Sequence, residues 1–187
     1  MKTAIADAKK LAYSKKSPPK ILIEISEKKA LELCDKFPEA DKNIVQLSIF
    51  LMDIMLTEAL AANKISEHVK MSVEATKEFL NTYDFSQKDK NKIINCVEAH
   101  HGAVKFDCIE AEICANADCY RFIHPRGFFY YLTLLGGERA QEFSKVLDQA
   151  EYKLDEKKNI LSLQYCKDEL DEYYNSLKKF INDARNL

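Results

Sequence analysis

The stretch DKNIVQLSIFLMDIMLTEALAA, residues 41–62, decides the fold of this chain. From Ile44 to Leu60 it is apolar nearly all round, and a helix with that pattern lies in the middle of a core. Asp41 precedes it and can cap it, because its carboxylate accepts hydrogen bonds from the amides of the first turn. Polar residues interrupt the apolar run, among them Gln46, Ser48, Asp53 and Glu58. The run therefore falls short of the roughly 18 uncharged residues that a membrane span requires, and it predicts a central core helix.

The composition of the whole chain agrees with a helical core. Its 187 residues suit one domain, and 47% hydrophobic against 31% charged residues is the profile of a soluble globular protein. Four glycines and four prolines are too few to build many hairpins. The apolar spacing predicts an all-α helical bundle of about seven to eight helices, with a long C-terminal helix.

Breaks in the pattern divide the chain into three parts. Residues 1–19 form a polar segment that ends at Pro18-Pro19, residues 20–150 form the helical domain, and residues 151–187 form a helical extension packed on the same domain. A basic run begins in the first part and ends at the first residue of the second: Lys9, Lys10, Lys15, Lys16 and Lys20. A solvated, frayed end explains this run more simply than a binding arm does.

Capping residues predict where the helices around the core begin and end. Ser66 starts one helix and Ser86 starts another. The second of these ends before Gly102, since glycine suits the left-handed position that follows a helix. A further apolar-rich helix covers residues 108–123, and Pro125 follows its end.

The C-terminal segment carries an apolar seam with alternating spacings of three and four residues: Leu163, Cys166, Leu170, Tyr173, Leu177 and Phe180. This spacing is typical of helices that pack along one another. Two alternatives stay open: the seam packs back onto the domain of the same chain, or it forms a zipper between two chains of a homodimer.

Charge and cysteine usage limit the partners and the compartment. The net charge is −2 with basic and acidic residues interspersed, which does not favour nucleic-acid binding. The first twenty residues lack the apolar region of a signal peptide. Six cysteines without a CxxC pair predict reduced thiols. We expect a cytoplasmic protein with no membrane partner.

The residues able to carry chemistry are concentrated in the middle of the chain. The four histidines are His68, His100, His101 and His124. Asp53 and Asp118 are isolated acids, each within an apolar helix. A buried carboxylate is destabilising by several kcal/mol unless a cation or hydrogen-bond donors offset its loss of water. Such acids beside a histidine pair predict an oxygen–nitrogen metal site, and the alternative is that each acid caps a helix or pairs with a lysine.

The order of these residues resembles that of the HD-domain superfamily of metal-dependent phosphohydrolases. Members carry a first histidine, a His-Asp pair on an apolar helix, further histidines and a terminal aspartate. The corresponding elements here, in chain order, are Met52-Asp53, His68, His100-His101 and Asp118. The similarity runs from about residue 20 to residue 124, and it implies an HD-like helical fold.

Two ligands of the superfamily are missing from this chain. Met52 stands where the histidine of the pair belongs, and its thioether is a poor ligand for a hard divalent ion. No histidine precedes His68, and the place of the first one falls near Ile21. The resemblance implies that one ion position keeps four ligands: Asp53, His68, His100 and His101. A second position keeps only Asp53 and Asp118.

The resemblance implies a phosphohydrolase acting on a nucleotide or another small phosphoester. The ion would be manganese, iron, nickel, magnesium or zinc, with Asp53 and Asp118 as the catalytic residues that act on its bound water. Arg121 and Arg126 are predicted to grip the phosphate, although surface ion pairs explain them equally well. His124 is expected outside the ligand set. Because two ligands are lost, the alternative is a catalytically inactive HD-like domain without a metal, which binds a ligand or a protein partner.

Overall fold

The structure, a computed structural model, describes residues 1–186, and these are all-helical with no strand. The α-helices in chain order are α1 Lys2–Ser14, α2 Lys20–Lys36, α3 Lys42–Leu51, α4 Leu56–Ala61, α5 His68–Asn81, α6 Gln87–Ala99, α7 Ile109–Ile123, α8 Pro125–Thr133, α9 Phe143–Ile160 and α10 Gln164–Arg185. The predicted all-α class and the long C-terminal helix, α10 with 22 residues, are confirmed.

Residues 1–186 contain more helices than the sequence predicts, for two reasons. The polar N-terminal segment forms α1, whose buried face is mostly alanine and includes Ala4, Ala8 and Ala12. The predicted core helix is divided in two, because a turn separates the end of α3 at Leu51 from the start of α4 at Leu56.

The chain divides into two compact units, one from Met1 to Ala117 and one that begins at Asp118. In the first unit α3 is central, since α1, α2 and α6 all pack against it, and α5 packs against α6. Leu47 and Leu51 of α3 are fully buried. Asp41 caps this helix as predicted, because its Oδ1 accepts hydrogen bonds from the amides of Asn43 and Ile44.

The turn between α3 and α4 is the feature of the first unit that positions the candidate site. It consists of residues 52–55 and includes Asp53. The amide of Met55 donates to Oγ of Ser72 on α5 over 3.2 Å, which satisfies a donor that the broken helix leaves without a carbonyl. Lys42–Ala61 is long and apolar enough to cross a membrane by length and composition alone, and 61% of its most apolar window is buried inside the protein, as in a core helix.

The other helix boundaries follow the predicted signals with one exception. Ser86 caps α6, accepting a hydrogen bond from the amide of Asp89, and Gly102 adopts a φ of 69° after that helix. Ser66 is not a cap, since it lies in a single 3₁₀ turn and α5 begins at His68.

In the second unit α9 and α10 run antiparallel and are joined by a row of ion pairs. The pairs are Lys158 with Asp171, Lys178 with Asp155 and Glu151, and Arg185 with Glu151 and Asp148. Cys166, Leu170 and Leu177 of the predicted seam are buried within the chain, whereas Tyr173 and Phe180 are exposed. Packing within the second unit therefore accounts for the buried members of the seam, and a homodimer stays a prediction.

Candidate metal centre

Four side chains from three elements of the first unit converge on one point. Asp53 comes from the turn after α3, His68 is the first residue of α5, and His100 and His101 follow the end of α6. One ligand atom from each residue lies within 4.8 Å of the ligand atoms of the other three. Asp53 and His100 are buried, while His68 and His101 are half-buried. The four residues predicted for one ion position therefore lie together.

The end of α6 explains how two adjacent histidines can face the same point. The side chains of consecutive residues in an α-helix point about 100° apart, so in a continued helix one of the two rings would point away from the cluster. The helix ends at Ala99, and the amide of Gly102 donates to the carbonyl oxygen of Ala99 over 2.7 Å. The centroids of the His100 and His101 rings are 4.4 Å apart, with the planes at 75°.

The carboxylate of Asp53 faces two imidazole rings. Its Oδ1 lies 3.5 Å from Nε2 of His68 and 3.4 Å from Nε2 of His100. The Asp53 side chain is 9% exposed, so little water is available to neutralise its charge. The centre therefore combines a buried anion with two nitrogen atoms at short range.

Backbone hydrogen bonds determine which ring nitrogens carry hydrogen. Nδ1 of His100 is 2.7 Å from the carbonyl oxygen of Val97, and Nδ1 of His68 is 2.6 Å from that of Ile65. A carbonyl oxygen can only accept, so each Nδ1 bears the hydrogen, and in the neutral ring Nε2 presents a lone pair. The two Nε2 lone pairs then point at Asp53 Oδ1, an arrangement of acceptors that is stable only with a cation or an additional proton between them.

The surroundings of His100 are compatible with a bound cation. Its Nε2 is buried and makes no hydrogen bond with any group in residues 1–186. Metal-binding histidines commonly donate Nδ1–H to a carbonyl oxygen while Nε2 binds the ion. Two ligands about 2.1 Å from one tetrahedral ion are themselves about 3.4 Å apart, close to the spacing of Asp53 and His100. The donor set of three imidazoles and one carboxylate suits manganese, iron, nickel or zinc.

In the two places where the resemblance to HD domains predicts further histidines, the chain carries apolar residues. Met52 is fully buried beside Asp53, so it adds packing but no hard ligand. Ile21, near the predicted place of the first histidine, is part of α2. The described residues thus provide one cluster of four ligands.

The remaining predicted site residues belong to the second unit and are engaged there. Asp118 lies 2.6 Å from Nζ of Lys157 through Oδ2 and 3.1 Å from Nη1 of Arg121 through Oδ1. All three side chains are at most 2% exposed, so Arg121 forms a buried ion pair rather than a surface one. Burial lowers the pKa of Lys157, but the negative groups around it, Asp118 foremost, outweigh burial and raise that pKa overall.

His124 and Arg126 lie at the start of α8. His124 is the capping residue, and its Nδ1 accepts a hydrogen bond from the amide of Arg126 over 3.3 Å. The side chain of Arg126 is exposed. The roles in catalysis and phosphate binding predicted for Asp118, Arg121 and Arg126 stay predictions.

Two residues that stabilise the backbone around the centre are not predicted from the sequence. Ser72 accepts the Met55 amide and thereby stabilises the turn that carries Asp53. Asn95 of α6 donates to the carbonyl oxygen of Lys105 and accepts from the amide of Asp107, which ties down the loop that follows His101. Their common signal is a polar side chain on an otherwise apolar helix face, because such a group is buried only with a partner.

Comparison with known proteins gives one partial similarity. A segment of 58 residues is 38% identical to ribonuclease Y of Finegoldia magna. The segment spans 31% of this chain and 10% of that enzyme. No protein-family profile and no solved structure matches the chain.

Proposed function

We propose that this chain is an HD-type metal-dependent phosphohydrolase with a single divalent ion, acting on a nucleotide or another small phosphoester. The observation that carries the proposal is the pair of Nε2 atoms, on His68 and His100, that face one oxygen of the buried Asp53. His101 completes the ligand set. Three imidazoles and one carboxylate leave a net positive charge with a divalent ion, which favours an anionic substrate.

When bound, the ion supplies Lewis acidity and a water of lowered pKa. The chain supplies the geometry: the carbonyl groups of Val97 and Ile65 fix the tautomers of His100 and His68, so that neither ring has to turn before it binds. Burial of Asp53 keeps its charge poorly screened and therefore effective toward a cation.

The partial similarity to ribonuclease Y supports phosphoester chemistry. A ribonuclease breaks phosphodiester bonds of RNA, and a phosphodiester is one kind of phosphoester, the group of bonds on which the proposed reaction acts. The net charge of −2 gives no basic surface for a long polyanion, so we favour a small substrate.

A catalytically inactive, ligand- or protein-binding domain is the second candidate. Met52 is fully buried where the HD pattern has a metal-binding histidine, and His68 and Asp53 lie close enough to satisfy each other if the imidazole is protonated. In this candidate a proton takes the place of the ion.

Metal titration distinguishes the two candidates. Protein stripped with a chelator is titrated with Mn²⁺, Ni²⁺ and Zn²⁺ by calorimetry, and hydrolysis of bis-p-nitrophenyl phosphate is followed before and after metal is restored. The hydrolase predicts about one ion per chain, with ligands of the kind described here, and turnover that the chelator abolishes. Protein that binds none of the three ions would leave the inactive domain as the better account.

A further inference from the structure

A narrow cleft borders Asp53 within the first unit. Its walls include Lys15 and Ser17 from the segment after α1, Ile23 of α2 and Ile54 from the turn after α3. Lys15 and Asp53 are the only charged residues among the described residues that line it. One cation and one candidate metal ligand thus share a cleft that is otherwise mostly apolar.

The segment that carries Lys15 is held in place by α4. The amide of Ser17 donates to Oγ1 of Thr57 over 2.9 Å, and the same hydroxyl donates to the carbonyl oxygen of Ser17 over 3.0 Å. This reciprocal pair fixes the backbone two residues after Lys15. The position of the lysine beside the cleft therefore follows from the fold and not from the mobility of a chain end.

The ammonium group of Lys15 has capacity for a further acceptor. Its hydrogen-bonded partner within residues 1–186 is Oε1 of Glu58, and an ammonium has three donors. The side chain of Lys15 is 20% exposed and that of Glu58 is 37% exposed. The pair is partly exposed, so water screens it and a more highly charged anion can compete with Glu58 for the ammonium group.

The proposed reaction requires a second positive charge near the ion. A phosphomonoester carries up to two negative charges, and binuclear sites place two cations beside such a group. In this chain the second ion position lacks both histidines, with Met52 in one of the two places and Ile21 near the other. Ile23, from the same helix as Ile21, presents an apolar side chain to the cleft.

We propose that Lys15 binds the phosphoryl group of the substrate next to the ion and so takes over the charge of the missing second metal. This inference rests on the proposed function. On arrival of the substrate, one ammonium donor turns from Glu58 to a non-bridging phosphoryl oxygen. Lysine suits this role because it acts as a compact point charge.

Phosphate binding to the metal-loaded full chain tests the role of Lys15. Calorimetry measures the affinity for Mn²⁺ first and for inorganic phosphate second, in the wild type, Lys15→Met and Lys16→Met. Lys16 is the exposed neighbour and serves as the matched control. We expect Mn²⁺ affinity to be equal in all three, and phosphate affinity to fall about tenfold or more in Lys15→Met alone, the loss of one charged hydrogen bond.

Two further variants test whether the charge of Lys15 is responsible, and a third is a substitute for Lys15→Met. Lys15→Arg keeps the charge and should retain most of the phosphate affinity, while Glu58→Gln frees the ammonium and should raise that affinity. Lys15→Gln, which can still donate to Glu58, replaces Lys15→Met if thermal unfolding shows that the methionine variant is not folded.

The possible failures are separable. Equal phosphate affinity in Lys15→Met and wild type, or equal loss in Lys15→Met and Lys16→Met, overturns the role of Lys15 while metal binding stands. If the wild type binds Mn²⁺ but no measurable phosphate, the role of Lys15 is also overturned. Absence of Mn²⁺ binding in the wild type overturns the proposed function, and the role of Lys15 with it.

Discussion

Nε2 of His100 lies 3.4 Å from Oδ1 of Asp53, while Nδ1 of the same ring is hydrogen-bonded to the carbonyl oxygen of Val97. The ring is therefore held with its lone pair toward a buried anion. Such a pair of acceptors is stable with a cation or an additional proton between them, and the cluster could hold a metal ion.

Replacement of His100 by alanine should remove the most buried of the three imidazole ligands. We expect Mn²⁺ affinity to fall at least about 100-fold, since loss even of an outer hydrogen-bonding partner of a ligand weakens metal affinity 10- to 100-fold. Titration calorimetry measures the change. His124→Ala, which removes a helix cap in the second unit, is the matched control and should leave Mn²⁺ affinity unchanged. Equal affinity in His100→Ala and wild type would exclude His100 as a ligand.

Replacement of Ser72 by alanine should destabilise the turn that carries Asp53. The Met55 amide loses its acceptor, which lowers the free energy of unfolding by about 1–3 kcal/mol. Urea unfolding gives the value. In the control Ser48→Ala the lost hydroxyl donates to the carbonyl oxygen of Ile44 in its own helix, so no backbone amide is stranded. A loss no larger in Ser72→Ala than in Ser48→Ala would contradict the role of Ser72.

The sequence is sufficient to predict the residues of the centre but not the backbone that presents them. Asp53 stands out because it is a charge in an apolar run, and the order of His68, His100 and His101 completes the set. The turn at residues 52–55 is not visible in the sequence, because no glycine or proline marks it and its partner, Ser72, lies on another helix.

Two further parts of the fold depend on contacts between distant residues. The face of α1 is made of alanines, whose small side chains give a weak apolar signal, so this helix is missed. Asp118 was expected to serve the metal site or to pair with a lysine. Its lysine, Lys157, comes from α9, and no local pattern connects the two residues.

Replacement of Asp118 by asparagine should strongly destabilise the second unit. Lys157 and Arg121 would lose the negative charge of their shared buried carboxylate, which is expected to lower the free energy of unfolding by about 3–5 kcal/mol. Denaturant unfolding measures this, and Asp171→Asn, from an exposed ion pair of the same unit, should have a much smaller effect. Weaker Mn²⁺ binding by folded Asp118→Asn would instead support its predicted role at the metal.

The stability of the first unit should depend on the ionisation of Glu110. Burial acts to raise the pKa of this carboxyl from 4.5, but the Lys92 ammonium and the Asp41 amide outweigh burial, so the pKa is lowered. Because its pKa is lowered on folding, the ionised Glu110 carboxylate stabilises the folded state. This contribution is fully present above pH 4.5 and is lost as the pH falls through the folded-state pKa.

Glu110→Gln should accordingly be less stable than wild type at pH 7, and the difference in unfolding temperature should narrow toward pH 3. Glu39→Gln, at an exposed position, should show no such convergence. A difference that is constant from pH 7 to pH 3 would mean that the charge of Glu110 contributes nothing to folding.

Replacement of Gly127 by alanine should disrupt the start of α8. A Cβ atom there would lie 2.3 Å from the carbonyl oxygen of Arg121, so the backbone must shift, at about 1–3 kcal/mol or more. Gly137 is the control, because a Cβ atom at that position meets nothing within 4 Å. Thermal unfolding should show a clear loss for Gly127→Ala and little change or a small gain for Gly137→Ala. Equal behaviour of the two variants would contradict the close approach at Gly127.

The turn after α3 also affects how the chain would interact with a lipid bilayer. A straight helix over Lys42–Ala61, with 20 residues, would measure about 30 Å, enough to cross the hydrocarbon layer. Divided at the turn, α3 reaches only about 15 Å and α4 about 9 Å, and the peptide groups of the turn would have no water in lipid. The same backbone break that brings a carboxylate to the histidines thus divides this segment into two helices, each shorter than the hydrocarbon layer.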